Sequence, residues 1–303
     1  MGGTGQSAGV GRTSGRPRGI IGSARPQPTG RVTTPPPQAP VRASNGDVSV
    51  GDTANFGNNA ATITDANFAS LRRAMGQTGE EAGHLGNKLD RTYIGTGRSY
   101  NINQYLRTDG KEYKTDQSKF WNNRITPEQI RRDIHKIDAG MRGLPQDTML
   151  FRFERGDMLG GALAQAGLPG YDRNNIGSLI ASLKNDPSKL QTFSNILKGM
   201  QYTNKGYSSL TYEGSHPGFG AYDVQFRIVA RAGTNAIATI NTKEHEVLGG
   251  HHLGYTFTGG VQIKHRTGYV TDFKTMRRTK FDKDQIILDV YLDNTPATTK
   301  RVK

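Results

Sequence analysis

At Met200 the hydrophobic period of this chain changes, and with it the kind of element the chain can form. Before that point apolar residues recur at helical spacing. Ile130, Ile134, Ile137 and Met141 make one stripe through "TPEQIRRDIHKIDAGMRG", as an amphipathic helix requires. After it come "GYSSLTY", "AYDVQFRIVARAG", "AIATI", "HEVLGG", "YTFTGGVQIKHR" and "DQIILDVYL". These short stretches, rich in β-branched and aromatic residues with glycine turns between, read as strands. Helices first and strands later predict an α+β domain.

Local signals sharpen the helices. Thr126 is placed to cap the helix just named, with Pro127 in its first turn and Gln129 completing a capping box. An earlier helix is expected over "TDANFASLRRAM", with Asp65 as its cap and Phe68, Leu71 and Met75 on one face. In "YNINQYLR", Ile102, Tyr105 and Leu106 share a helical face. "TMLFRFERG" (148–156) reads as a strand carrying Arg152, and two helices follow, "NNIGSLIASLKN" and "DPSKLQTFSNILKGM". The second opens on Asp186 as cap and Pro187.

Composition sets the outer limits. Of 303 residues 33% are hydrophobic and 39 are glycine, which fits a packed domain joined to chain too polar to order itself. Residues 1–45 read as that chain, a disordered basic tail with Arg12, Arg16, Arg18, Arg25, Arg31 and Arg42. Residues 46–88 read as a polar, partly helical lead-in, and 89–303 as the main domain. There is no cysteine, so disulfides and cysteine metal sites are excluded. The formal charge of +14 draws the chain to polyanions, and the tail is expected to meet an anionic partner. No apolar run approaches the ~20 residues of a membrane span. The N-terminus lacks the apolar core of a secretory signal, and Gln6 stands where myristoylation needs Ser or Thr.

Several residues could carry chemistry. Arg152 lies between Phe151 and Phe153, and a guanidinium in a mostly buried strand needs an anion. That anion is either a phosphate or a structural carboxylate such as Glu154. Glu244 and Glu246 are two apart, so on a strand they share a face, with His245 opposed. Paired carboxylates can stabilise a cation and take a proton, as in glycoside cleavage, although a solvated strand edge tolerates them equally. Ser208, Ser209 and Thr211 show no serine-nucleophile pattern. His251 and His252 are adjacent and diverge on a strand, and no metal is expected. "GTGRS" at 95–99 lacks the lysine of a phosphate loop.

The order of these elements is more specific than any one of them. An arginine on a strand, two helices, aromatic-Ser-Ser-x-Thr and then Glu-x-Glu-Val-Leu resemble the mono-ADP-ribosyltransferase family. The resemblance is to its Arg/Ser/Glu class of clostridial-type binary toxins and bacterial effectors. It runs from about Tyr93 to Leu292 and includes "INQYLR", with Ile102, Asn103, Leu106 and Arg107 in the family's first signature. Two departures stand out. Leu210 replaces the middle hydroxyl of the Ser-Thr-Ser element, and Arg155-Gly156 is a rival register for the key arginine.

The resemblance implies a mixed, mainly antiparallel two-sheet β core and NAD as co-substrate. It implies transfer of ADP-ribose to an arginine of a target protein, with secretion or injection by a route that reads no classical signal. Arg152 and Arg107 would grip the pyrophosphate and adjoining ribose. Asn103, Phe153 and Thr211 would complete the NAD site. Ser209 would orient Glu246, which stabilises the ribosyl cation, and Glu244 would hold the attacking guanidinium. The competing reading is a basic nucleic-acid-binding or virion-associated structural protein.

Overall fold

The alternating second half of the chain joins short strands of the first half in one hydrogen-bonded ladder, against which helices of the first half pack. The computed structural model describes residues 39–77, 98–112, 126–168, 171–215, 219, 221–239, 245–271 and 277–295. The described residues begin with β1 (Val41–Arg42), β2 (Val48–Val50), β3 (Ala61–Thr62) and α1 (Asp65–Ala74). Next are α2 (Arg98–Arg107), α3 (Pro127–Gly140), β4 (Arg142–Gly143), β5 (Thr148–Glu154), α4 (Asp157–Gln165), α5 (Ile176–Asn185) and α6 (Pro187–Leu197). The strand half has β6 (Gln201–Asn204), β7 (Ser208–Thr211), β8 (Val224–Ala230), β9 (Asn235–Ala238), β10 (Glu246–Gly249), β11 (Leu253–Thr271) and β12 (Arg278–Asp293).

The ladder runs β1-β2-β11-β12-β8-β5-β7-β10-β9-β4, with β3 on β5 and β6 on β11. Only β12 with β8 and β3 with β5 pair parallel among the described strands. The α+β, mainly antiparallel architecture is therefore observed. Its two parts meet at a single residue pair, Phe151↔Thr211, which joins β5 to β7.

Two hydrophobic clusters hold this frame. The larger packs Leu159, Leu163, Ile180 and Leu190 of the helices on Phe226, Ile228, Leu288 and Val290 of the sheet. The smaller joins Ile102, Ile130 and Ile137 to Tyr207, Ile237 and Leu248. It fixes α2 and α3 beneath β7, β9 and β10. Ile130 and Ile137 are at most 1% exposed, and each contributes ~1.5–3 kcal/mol by burial. The Thr126–Gln129 capping box and the Asp186 cap form as the sequence signals require.

Several expectations need correction. Thr64, not Asp65, caps α1, and Asn67 closes the box from the third position. The sequence reading does not include α4, β6 or the short strands β1 to β4, and β1 puts Val41–Arg42, from the stretch expected to be disordered, on the sheet. The apolar, glycine-containing "DMLGGALAQ" has no polar face to give it a period, and β6 is only four residues long. The strand with Glu246 begins at that residue, and His245 before it has a left-handed backbone, φ 48°. His245 therefore lies outside the strand expected to include it. Glu244, the 95–97 part of "GTGRS" and residues 1–38 lie outside the described residues.

Candidate active site

β7 and β10 pair antiparallel with Glu246 opposite Thr211 and Leu248 opposite Ser209. Ser209 is thus diagonal to Glu246 on one face, a separation that a long side chain spans. The Ser209 hydroxyl donates to Glu246 Oε1 at 2.8 Å. Glu246 is 3% exposed, whereas Ser209 is open to solvent. The preceding Ser208 faces the core, where its Oγ accepts from Tyr255 Oη (2.7 Å) and Asn204 Nδ2 (2.9 Å). Alternation on one short strand thus gives one serine to the core and the next to the site.

Arg152 reaches the same place from β5. Its Nη1 donates to the Ser209 carbonyl at 3.1 Å. Its Nε is buried and has no partner, and among the described residues no carboxylate pairs with it. Glu154 is committed elsewhere, accepting from the N–H groups of Met158 (2.8 Å) and Leu159 (3.1 Å) at the start of α4. Burial raises the Glu154 carboxyl above the usual range despite those bonds. An orphaned guanidinium N–H beside a cavity is what an anionic ligand would satisfy.

That cavity, about 170 Å³, has Phe151, Phe153, Phe219 and Tyr222 as aromatic walls and Arg152, Ser209 and Thr211 as polar lining. Thr211 is 5% exposed, and its Oγ1 accepts from Glu213 N at 3.2 Å. The Arg155 guanidinium sits 4.9 Å above the Tyr222 ring, outside the strand.

Asn103 and Arg107 lie against the Gly206–Tyr207 turn that leads into β7. Asn103 Oδ1 accepts from Tyr207 N at 2.8 Å, two residues before Ser209. A Cβ on Gly206 would lie 2.8 Å from Asn103 Oδ1 and 3.3 Å from Arg107 Nε. Burial raises the hydroxyls of Tyr202 and Tyr255, and the positive charges of Arg107 and Arg152 both oppose it. The two guanidinium groups therefore act on common ground. The structure brings together Arg152, Phe153, Ser209, Thr211 and Glu246, with Asn103 and Arg107 bracing the turn that feeds β7.

A further group was not legible in the sequence. The Tyr212 ring stacks on His245 at 5.0 Å and 14°, and its hydroxyl donates to Asp65 Oδ1 at 2.6 Å. His245 Nδ1 is 2.7 Å from Glu213. Burial first, then Asp65, pushes the Tyr212 hydroxyl far up. The only hint in sequence was the aromatic residue closing "GYSSLTY". The paired histidines also differ from expectation. They occupy the β10–β11 turn, where His252 has φ 59°, and they converge with Nδ1 atoms 2.6 Å apart instead of diverging. Among the described residues no group of three or more metal-binding side chains occurs, and no helix is long and apolar enough to cross a membrane.

The chain belongs to the ADP-ribosyltransferase exoenzyme family, whose model matches residues 87–294. It is an ADP-ribosyltransferase toxin-like enzyme. Among solved structures it is similar to Plx2a, an ADP-ribosyltransferase toxin from Paenibacillus larvae. That pair is 13% identical, covers 75% of this chain and 92% of that one, and has a TM-score of 0.45. C3stau2 from S. aureus with NAD is 14% identical over 78% of this chain and 99% of that one, TM-score 0.49. The enzymatic component C2-I of the C2-toxin from Clostridium botulinum is 17% identical over 75% of this chain, TM-score 0.45. The match spans only 47% of C2-I. No curated protein sequence matches.

Proposed function

We propose that this chain transfers ADP-ribose from NAD to an arginine side chain of a target protein, acting as a toxin or effector inside the cell it reaches. One observation carries the reading: Ser209 holds the buried acid Glu246 at 2.8 Å while Arg152, bonded to the Ser209 carbonyl, keeps a buried Nε without a partner. The strand that aims the acid thus also anchors a guanidinium ready for phosphate.

When bound, NAD supplies a glycosidic bond whose cleavage releases neutral nicotinamide and leaves positive charge on the ribose. Arg152 and Arg107 hold the pyrophosphate by charge-assisted hydrogen bonds. The aromatic walls of the cavity offer an apolar face to the nicotinamide ring. Ser209 fixes one oxygen of Glu246, so the carboxylate is positioned before charge develops and loses nothing to reorganisation. Glu244 is assigned the acceptor. A guanidinium is a poor nucleophile while protonated, and a second carboxylate takes its proton as the new C–N bond forms.

The test is incubation of the protein with labelled NAD and a cell lysate. Nicotinamide release and protein label are expected, with mass spectrometry placing the ADP-ribosyl group on arginine. Adducts on another residue type would overturn the arginine assignment alone. No nicotinamide release would overturn the NAD reading.

A further inference from the structure

The longest hairpin outgrows the sheet that carries it. β11 pairs with β2 only through Val261–Ile263, and β12 pairs with β8 only from Ile286 onward. Beyond those points the two strands pair with each other, from Lys264↔Gln285 out to Thr271↔Arg278. At ~3.3 Å per residue this makes an arm roughly 26 Å long. Among the described residues, no side-chain hydrogen bond or ion pair ties 266–271 or 278–281 to the body of the fold. A two-stranded ribbon is marginal alone, so its order depends on the root.

The root is at the candidate site. Gln285 Nε2 donates to the Tyr222 carbonyl at 2.7 Å, Ile286 N donates to the Asp223 carbonyl at 3.0 Å, and Lys283 Nζ pairs with Asp223 at 2.7 Å. Tyr222 is a wall of the cavity that holds Arg152 and Ser209. The arm therefore rises from the rim of that cavity.

Opposed residues of an antiparallel pair share a face. One face of the arm carries His265/Asp284, Thr267/Asp282, Tyr269/Lys280 and Thr271/Arg278. Near the root its acids are engaged: Asp284 by Lys184 at 2.6 Å and by His265 at 3.1 Å, Asp282 by His265 at 2.9 Å. Farther out the Arg278 guanidinium lies 4.8 Å from the centre of the Tyr269 ring, and Lys280 stands opposite. Among the described residues no acid pairs with either cation. Tyr269 is 54% exposed. An exposed tyrosine beside an arginine is the composition of a protein-interface hot spot, and unpaired cations beside it select an acidic partner.

We propose that this face docks an acidic surface of the acceptor protein and so presents the side chain to be modified to the cavity. The proposal rests on the transfer reading and names how the target is recognised. A cavity of about 170 Å³ that part of NAD is to enter leaves room for little more of a protein than one side chain, so recognition of the target must come from outside it. A nucleic acid fits the arm less well. A phosphate track along this face would meet Asp282 and Asp284, and Arg278 covers one face of the ring that a base would stack on.

The test uses the full chain with Arg278→Glu and Lys280→Glu combined, and Arg278→Ser with Lys280→Ser as a milder pair. Two rates are compared: nicotinamide release without protein acceptor, and label transferred to lysate proteins. Nicotinamide release is expected to be unchanged, while protein labelling falls ~10-fold or more with charge reversal. Added poly-L-glutamate should inhibit labelling by the wild type and not by the variant. Wild-type labelling by both variants would overturn the docking role. So would stronger competition by duplex RNA or DNA than by poly-L-glutamate at equal charge, since the arm would then be a nucleic-acid contact. A wild-type protein that releases no nicotinamide would sink the transfer reading itself and the docking with it.

Discussion

Ser209 Oγ and Glu246 Oε1 are 2.8 Å apart across two antiparallel strands, a serine open to solvent holding an acid that is not. If this bond sets the acid for a developing cation, its two ends should differ in weight. Glu246→Gln keeps the shape and an acceptor for Ser209 but removes the charge. It should lower nicotinamide release by ~10²–10³ with little change in the thermal midpoint. Ser209→Ala leaves the charge and loses only its aim, so a smaller loss of ~10-fold is expected. Steady-state rates and melting curves of the two variants check the order.

Arg152 gives a test of geometry against charge. Its guanidinium donates to the Ser209 carbonyl with one nitrogen and leaves a buried Nε unbonded. A lysine carries the same charge but cannot reach both directions with a planar fork. Arg152→Lys should therefore raise KM for NAD ~10-fold or more, nearly as far as Arg152→Met, with kcat less affected. A lysine variant indistinguishable from wild type would mean that any cation suffices there.

What could be read in the sequence was whatever depends on neighbours within one turn or one strand. Thr126, Pro127 and Gln129 announce their helix because a cap is a local object, and Phe151-Arg152-Phe153 announces its strand by composition. The Ser209–Glu246 pairing depends on register between strands far apart in the chain, and only the resemblance to a family ordered the motifs. His245 falls outside the strand that alternation gives it because its backbone is left-handed, and no residue type signals that reliably. Asp65 was read as a cap, a role that Thr64 takes instead. Its carboxylate is engaged by Tyr212, 147 residues away, which no local rule could supply.

Gly206 tests how closely α2 presses on the strand that carries Ser209. An added Cβ would come within 2.8 Å of Asn103 Oδ1, the atom that accepts from Tyr207 N. Gly206→Ala should break that bond or push α2 away, at a cost of ~1–3 kcal/mol. Urea unfolding measures the loss. KM for NAD should rise with it, because Arg107 lies on the same helix face.

Acidification should weaken the turn between β10 and β11. The Nδ1 atoms of His251 and His252 are 2.6 Å apart, with Asp138 on the far nitrogen of His251 at 3.1 Å. Burial, then the charges of His251 and Lys205, hold the His252 imidazole below its usual range, against the opposing pull of Asp109 and Asp138. A folded-state pKa below the unfolded value means that the unfolded chain takes up protons first as pH falls. This contribution to stability is therefore complete above ~6.5 and declines as the pH drops through the folded value. Urea midpoints from pH 8 to 5 should show the decline. His252→Asn, which tolerates the left-handed backbone, should flatten it.

Tyr212 reports whether the residue before the acid must be held. Its ring lies on His245, its hydroxyl is bonded to Asp65 on α1, and His245 also faces Glu213. Asp65 lies before the 87–294 segment that the family match covers, so this brace is supplied by chain ahead of it. Tyr212→Phe keeps the stacked ring and removes only the bond to Asp65. It should cost ~1 kcal/mol of stability and lower kcat several-fold, with KM for NAD nearly unchanged, because the dinucleotide still meets Arg152. Tyr212→Ala removes the ring as well and should lose more of kcat, so that the Phe variant stands as a partial rescue. A Phe variant with a lower melting temperature and a wild-type kcat would show that the brace supports the fold and leaves Glu246 where it was.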